Sequence, residues 1–250
     1  MRFYLDSAKK SHIGAAAKMA WVAGVTTNPG ILHRDGIADW RPVVKAVVDT
    51  GRKDWKVWLQ VPAGDAESMV KSAEKMESYL ADRTGGSFVG PTLVVKLPPI
   101  RESLFAGSHL VAAGKEVCIT GIANPVQALG VACLPHLEPG GFQATEGPPS
   151  SRNPGFPQYI AYYVGRVNDA GESGVARLEQ INSLYVANGI RTRILGASVR
   201  SHQELAQLTA AFAAAPGKAL VDVTLPFDVL ANVLEDAVTA KALAEFSDLE

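Results

Sequence analysis

Thr92-Leu93-Val94-Val95-Lys96-Leu97, closed by Pro98, is a nearly unbroken apolar run with a single ammonium inside it. A strand with one wet face alternates apolar and polar residues, whereas a strand covered on both faces reads as a continuous hydrophobic run. Residues 92–97 follow the second pattern, and residues 219–224 repeat it. Working outward, further β-branched or apolar runs stand at 2–6, 22–26, 56–61, 116–121, 159–164 and 192–197, giving eight candidate strands in all. Most intervals hold a stretch with apolar positions three and four apart, clearest at 65–81, 174–188 and 201–214. Strand and helix alternating eight times predict an α/β chain, a single-domain (β/α)8 TIM barrel over residues 1–250.

The composition suits that architecture. Of 250 residues, 47% are hydrophobic and 20% charged, enough to build one large core. One interval breaks the rhythm: 134–158 contains six prolines and four glycines, so no helix runs through it. It follows the helical stretch 125–133 and precedes the sixth strand. The expectation is therefore an insertion on the N-terminal face of the barrel, with a structural or subunit-contact role. A net charge of -1 and a pI near 6.5 argue against nucleic acid or an acidic membrane as partner and favour a small soluble substrate. Cys118 and Cys133 both sit in apolar surroundings, as inert core thiols of a reducing compartment do. No basic leader and no apolar run of about twenty residues is seen, so a cytoplasmic protein is expected.

In a barrel of this type chemistry gathers at the C-terminal ends of the strands. Those ends carry Asp6, Thr26 with Asn28, Gln60, Lys96, Thr120, Tyr163 with Arg166, Ser198 with Arg200, and Thr224. Each alone is an ordinary polar residue facing water; their convergence on one mouth is what points to a site. Lys96 stands out because burial in an apolar run disfavours its ammonium, leaving neutral amine able to attack a ketone. The plainer alternative is a lysine reaching from a strand end into solvent. Asp6 is suited to orienting a hydroxyl or moving a proton, and equally to capping the first helix. Arg166, Ser198 and Arg200 suit an anion, since guanidinium forks match phosphate and a hydroxyl adds a neutral donor. A ligand-free pair of surface arginines is the alternative. A metal-dependent enzyme would need His, Asp or Glu ligands clustered at strand ends. Here His12, His33, His109, His136 and His202 all fall in expected helices or loops.

Several tracts carry a resemblance that spans almost the whole chain. They are Leu5-Asp6-Ser7, Ala23-Gly24-Val25-Thr26-Thr27-Asn28-Pro29, Val94-Val95-Lys96-Leu97-Pro98, Tyr163-Val164-Gly165-Arg166, Ala197-Ser198 and Thr224-Leu225-Pro226. In these the chain resembles the transaldolase family, and within it the fructose-6-phosphate aldolase branch. The resemblance implies a class I aldolase in which Lys96 forms a Schiff base with a ketose, so that no metal or other cofactor is required. It further implies that Asp6 assists proton transfer, Asn28 beside Thr26 binds substrate hydroxyls, and Arg166, Ser198 and Arg200 hold a phosphate. Gln60 stands where transaldolases resembling this chain carry glutamate, and Tyr163 where they carry phenylalanine, so both are aldolase-like. With Thr120 these two side chains are suited to holding a catalytic water. Gly30, Ile100 and Tyr162 depart from the family pattern near the expected mouth and bear on substrate choice. The implied donor is of dihydroxyacetone type, taken from a ketose phosphate such as fructose 6-phosphate, and the family association implies a homo-oligomer. A transaldolase and a non-catalytic sugar-phosphate-binding barrel are the alternatives.

Overall fold

The computed structural model describes residues 1–86, 90–132, 157–212, 221–233 and 241. Eight strands close a barrel: β1 (Phe3–Asp6), β2 (Val22–Thr26), β3 (Lys56–Gln60), β4 (Thr92–Leu97), β5 (Glu116–Ile122), β6 (Tyr159–Tyr163), β7 (Arg193–Ala197) and β8 (Val221–Leu225). Every neighbouring pair is parallel, and β8 closes on β1 with Tyr4 opposite Thr224 and Leu5 opposite Leu225. That last pairing carries β8 one residue past the expected end at Thr224.

Helices fill the intervals. They are α1 (Lys10–Ala16), α2 (Pro29–Arg34), α3 (Arg41–Asp49), α4 (Ala66–Arg83), α5 (Arg101–Ala112), α6 (Pro125–Ala132), α7 (Val164–Asp169), α8 (Gly174–Ala187), α9 (His202–Phe212) and α10 (Phe227–Ala231). The longest, α4, starts where the Asp65 carboxylate accepts the Ser68 N–H at 2.7 Å. Its buried residues Met69, Ala73, Met76 and Leu80 recur at intervals of three and four and face the barrel. Fully burying each of the larger ones contributes about 1.5–3 kcal/mol. The Pro/Gly-rich stretch 134–158 lies outside the described residues except for Pro157 and Gln158, as does Cys133. Gln158 ties the start of β6 to its neighbours: its Oε1 accepts the Val117 N–H and its carbonyl the Arg193 N–H.

Two apolar layers result. The larger lies between strands and helices, and a smaller one fills the barrel with Tyr4, Trp58, Val94, Cys118, Tyr159, Ala161 and Leu195. Below this filling, towards the strand starts, charges meet in pairs. The Lys56 ammonium donates to the Glu116 carboxylate and, at 2.9 Å, to the Tyr159 hydroxyl. Arg193 holds the fully buried Asp222 through bonds of 2.7 and 3.0 Å. Among the described residues no helix is long and apolar enough to cross a membrane.

Candidate active site

The C-terminal mouth is built around Lys96. On β4 it lies level with Gln60 of β3 and Cys118 of β5, so all three side chains point into the barrel. Lys96 is only 4% exposed, and its Nζ donates to the Thr27 carbonyl at 2.8 Å. Thr27 is itself pinned, since its N–H and its hydroxyl both donate to the Trp58 carbonyl at 3.0 Å. Burial pulls the Lys96 ammonium below its ordinary pKa, and the nearby Cys118 and Asp6 only partly oppose it. Burial also pushes the Cys118 thiol up to about 12, so it is neutral. The amine therefore has a neutral thiol beside it, feels the Asp6 carboxylate, and is held by a carbonyl, which favours the ammonium less than a directly bonded carboxylate would.

Asp6 closes β1 beside it. Its Oδ1 accepts the Thr26 hydroxyl at 2.8 Å, and the Thr26 and Thr224 hydroxyl oxygens lie 2.5 Å apart. Thr26 has one proton. With that proton directed at Asp6, Thr224 must donate to Thr26, giving a one-way chain from Thr224 through Thr26 to Asp6. Burial raises the Asp6 pKa, while the Lys96 charge and the Thr26 bond act against the rise. A latch holds this strand end from outside: Arg34 Nη2 donates to the Asp6 carbonyl at 3.2 Å, and Asp35 Oδ2 accepts the Ser7 hydroxyl and the Ala8 N–H at 2.9 and 2.7 Å. The sequence points to no role for Thr27, Arg34 or Asp35, and to Cys118 only as an inert core thiol. For Cys118 a signal existed, its position in the strand next to the lysine strand; a backbone carbonyl such as that of Thr27 leaves none.

The remaining candidates divide. Asn28 caps α2, its Oδ1 accepting the Ile31 N–H at 2.9 Å, so the turn role is met and its amide N–H groups remain for other partners. Gln60 and Tyr163 end strands β3 and β6, and Thr120 stands two residues before the end of β5, but among the described residues no direct hydrogen bond joins them. The Tyr163 ring lies under the Arg166 guanidinium, 5.1 Å from its centroid. Arg166 pairs with no carboxylate among the described residues, which leaves its charge available. Arg200 differs: it grips Asp169 with two bonds of 2.7 Å and donates to the Ser198 hydroxyl at 3.2 Å. Ser198 and Arg200 of the expected anion trio thus stand together with that guanidinium already engaged, while among the described residues no hydrogen bond joins Arg166 to either.

Ser198 is the one non-glycine at positive φ among the described residues, at 64°. That conformation costs energy in a residue with a side chain and needs support from around it. Support comes from Gly165, where a Cβ would stand 2.0 Å from the Ser198 carbonyl oxygen; only glycine permits that approach. Of the three departures from the family pattern, Gly30 and Ile100 are exposed near the mouth. Tyr162 is not there. Alternation along β6 turns it outward, where it is fully buried and donates to the Gly174 carbonyl at 3.1 Å. Among the described residues His, Cys, Asp and Glu form no group of three able to hold a metal ion.

Residues 3–249 match the family model described as Transaldolase/Fructose-6-phosphate aldolase. A "Probable transaldolase" from Maridesulfovibrio salexigens is 29% identical over 99% of this chain and 96% of its own length. Another, from Dehalococcoides mccartyi, is 28% identical over 98% and 96%. Among solved structures the YdjI aldolase from Escherichia coli K12 aligns with a TM-score of 0.51 over 94% of this chain and 77% of that one, at 11% identity, a likeness of fold alone. The chain therefore belongs to the transaldolase/fructose-6-phosphate aldolase family of aldolase- and transaldolase-type enzymes.

Proposed function

We propose that the protein is a class I aldolase acting on a ketose phosphate such as fructose 6-phosphate, with Lys96 as nucleophile. The observation that carries this reading is the amine itself, 4% exposed, lowered in pKa by burial and bonded to a neutral carbonyl. Neutral Nζ adds to the ketone carbon, and the resulting carbinolamine loses its hydroxyl as water to give an iminium. A base then takes the proton of the hydroxyl two carbons away. The bond between the carbons breaks, its electron pair passes into the iminium to form an enamine, and the aldehyde leaves. Protonation of the enamine and hydrolysis return the amine and release a three-carbon ketone of dihydroxyacetone type.

In this reading Asp6 orients hydroxyls and assists the proton transfers, and Gln60, Thr120 and Tyr163 hold the water through which they pass. Thr26 and Asn28 flank the substrate. The phosphate rests on Arg166 and the Ser198 hydroxyl, with Arg200 positioning Ser198. Transfer of the enamine to an acceptor aldehyde is the second reading, favoured by relatives named as probable transaldolases. Gln60 and Tyr163, in place of the glutamate and phenylalanine of transaldolases, favour cleavage. Family membership supports a homo-oligomer working in the cytoplasm.

The experiment is borohydride reduction in the presence of fructose 6-phosphate, followed by peptide mapping. A covalent adduct at Lys96, absent from Lys96→Met, is the expected result. No adduct leaves only a sugar-phosphate-binding barrel, and one that persists in that variant moves the Schiff base to another amine. Product analysis with and without erythrose 4-phosphate then separates cleavage from transfer.

A further inference from the structure

The opposite mouth of the barrel carries groups that this chemistry does not use. Arg2, Tyr4, Trp21, Asp54 and Lys56 help to line a cavity of about 480 Å³ at the strand starts, a size typical of small-molecule sites. Most charges here are matched: Lys56 with Glu116, Arg193 with Asp222, and Arg52 with Asp54 at 2.8 Å. Arg2 is the exception. Its backbone N–H donates to Asp222 at 2.8 Å, but its guanidinium forms no ion pair among the described residues. Beneath it the Tyr4 hydroxyl is buried and meets no partner in hydrogen-bonding geometry, on a side chain with 0% exposure. Arg2 lies close enough to interact with that oxygen. Even so, a guanidinium only donates, and the phenol proton is left without an acceptor. The cavity therefore presents unsatisfied donors and one unpaired positive charge. Trp21, 41% exposed and packed edge-on against Phe3 at 5.5 Å, supplies an apolar wall.

We propose that this N-terminal mouth is a second binding site, for a small organic oxyanion whose carboxylate or phosphate head takes the Arg2 guanidinium and the Tyr4 hydroxyl while its apolar body lies on Trp21. A guanidinium and a phenol converging on one acceptor make a charge-assisted pair, and an anion is the ligand that satisfies both. The site is separated from Lys96 by the aromatic filling of the barrel, where Tyr4, Trp58 and Tyr159 stack edge to face at 5.1 and 4.7 Å. It stands whether or not Lys96 forms a Schiff base.

The test uses phenyl phosphate and benzoate as probes, which separate the two head groups, at constant ionic strength with chloride as control. Binding is read by tryptophan fluorescence and thermal shift. At least one probe should bind saturably, with affinity reduced tenfold or more in Arg2→Gln. Tyr4→Phe should weaken binding several-fold, with thermal unfolding of the free variant checking that it remains folded. Arg166→Gln, at the other mouth, should leave the part of the titration that Arg2→Gln removes unchanged. The proposal is overturned if neither probe binds saturably. It is equally overturned if binding survives Arg2→Gln and Tyr4→Phe but disappears in Arg166→Gln, which would assign the anion to the C-terminal mouth.

Discussion

Replacing Thr26 by valine should do more damage than replacing Thr224, although the two hydroxyls touch. The one-way chain from Thr224 through Thr26 to Asp6 makes their losses unequal. Thr26→Val removes a bond to a carboxyl group and a bond between hydroxyls. Hydrogen bonds to charged groups contribute about 1.5–3 kcal/mol and neutral ones about 0.5–1.5. The variant should therefore lose about 2–4.5 kcal/mol. Thr224→Val removes only neutral bonding, the Thr26 contact and a long 3.4 Å approach to the Tyr4 carbonyl that draws on the same proton, and leaves Thr26 donating to Asp6, for a loss of about 0.5–1.5 kcal/mol. Urea unfolding of both variants measures the difference. A second readout is independent of stability: the Thr26 bond holds the Asp6 pKa down, so its loss moves the Asp6 limb of the pH–rate profile to higher pH, while Thr224→Val leaves that limb nearly in place. Equal destabilisation by the two variants, or an unmoved limb in Thr26→Val, would refute the assignment of the proton to the Asp6 side.

Three further expectations concern the same mouth. Because burial lowers the Lys96 pKa, kcat/KM should climb with pH as the amine loses its proton, through a limb below the ordinary 10.5. Between the folded and unfolded values the unfolded chain binds more protons, so stability should also rise with pH there, and Lys96→Met should flatten that rise in denaturant titrations. Gly165→Ala would press a methyl to 2.0 Å from the Ser198 carbonyl; a loss of about 1–3 kcal/mol or more is expected, with KM for a phosphorylated ketose rising more than kcat falls. Asp35→Asn should loosen the latch behind β1, costing about 1.5–3 kcal/mol. Kinetically kcat should fall more than KM changes, and faster amide exchange at Ala8 checks the cause. In the parent protein burial pushes the Asp35 carboxyl up, but bonds from Arg34, Ala8 and Ser7 outweigh it and lower its pKa. Its stabilising contribution is accordingly present above the unfolded carboxylate range and lost as pH falls through the folded value.

The barrel was readable because its strands advertise burial on both faces: 92–97 carries one charged side chain, and that residue is the buried amine. Position at strand ends gathered Asp6, Thr26, Gln60, Lys96, Thr120 and Tyr163 on one rim, since parallel strands in a closed barrel place all their C-termini together. What stayed hidden depended on contacts distant in sequence. Asp35 meets Ser7 across 28 residues, and Arg200 meets Asp169 across 31; both follow from where a helix ends, which periodicity fixes only loosely. Tyr162 was misplaced for a different reason: beside Tyr163 it looks like a rim residue, and only the strand pairing tells which of two adjacent tyrosines faces inward.

The aromatic plug of Tyr4, Trp58 and Tyr159 has a kinetic corollary. It fills the barrel on the N-terminal side of Lys96, which leaves the C-terminal mouth as the approach to the amine. Whatever carbonyl fragment leaves first must exit by the route the next reactant uses, so two such molecules cannot pass each other. In the transfer reading the first aldehyde must leave the Lys96 enamine before the acceptor aldehyde enters, and double-reciprocal plots for ketose and acceptor should run parallel.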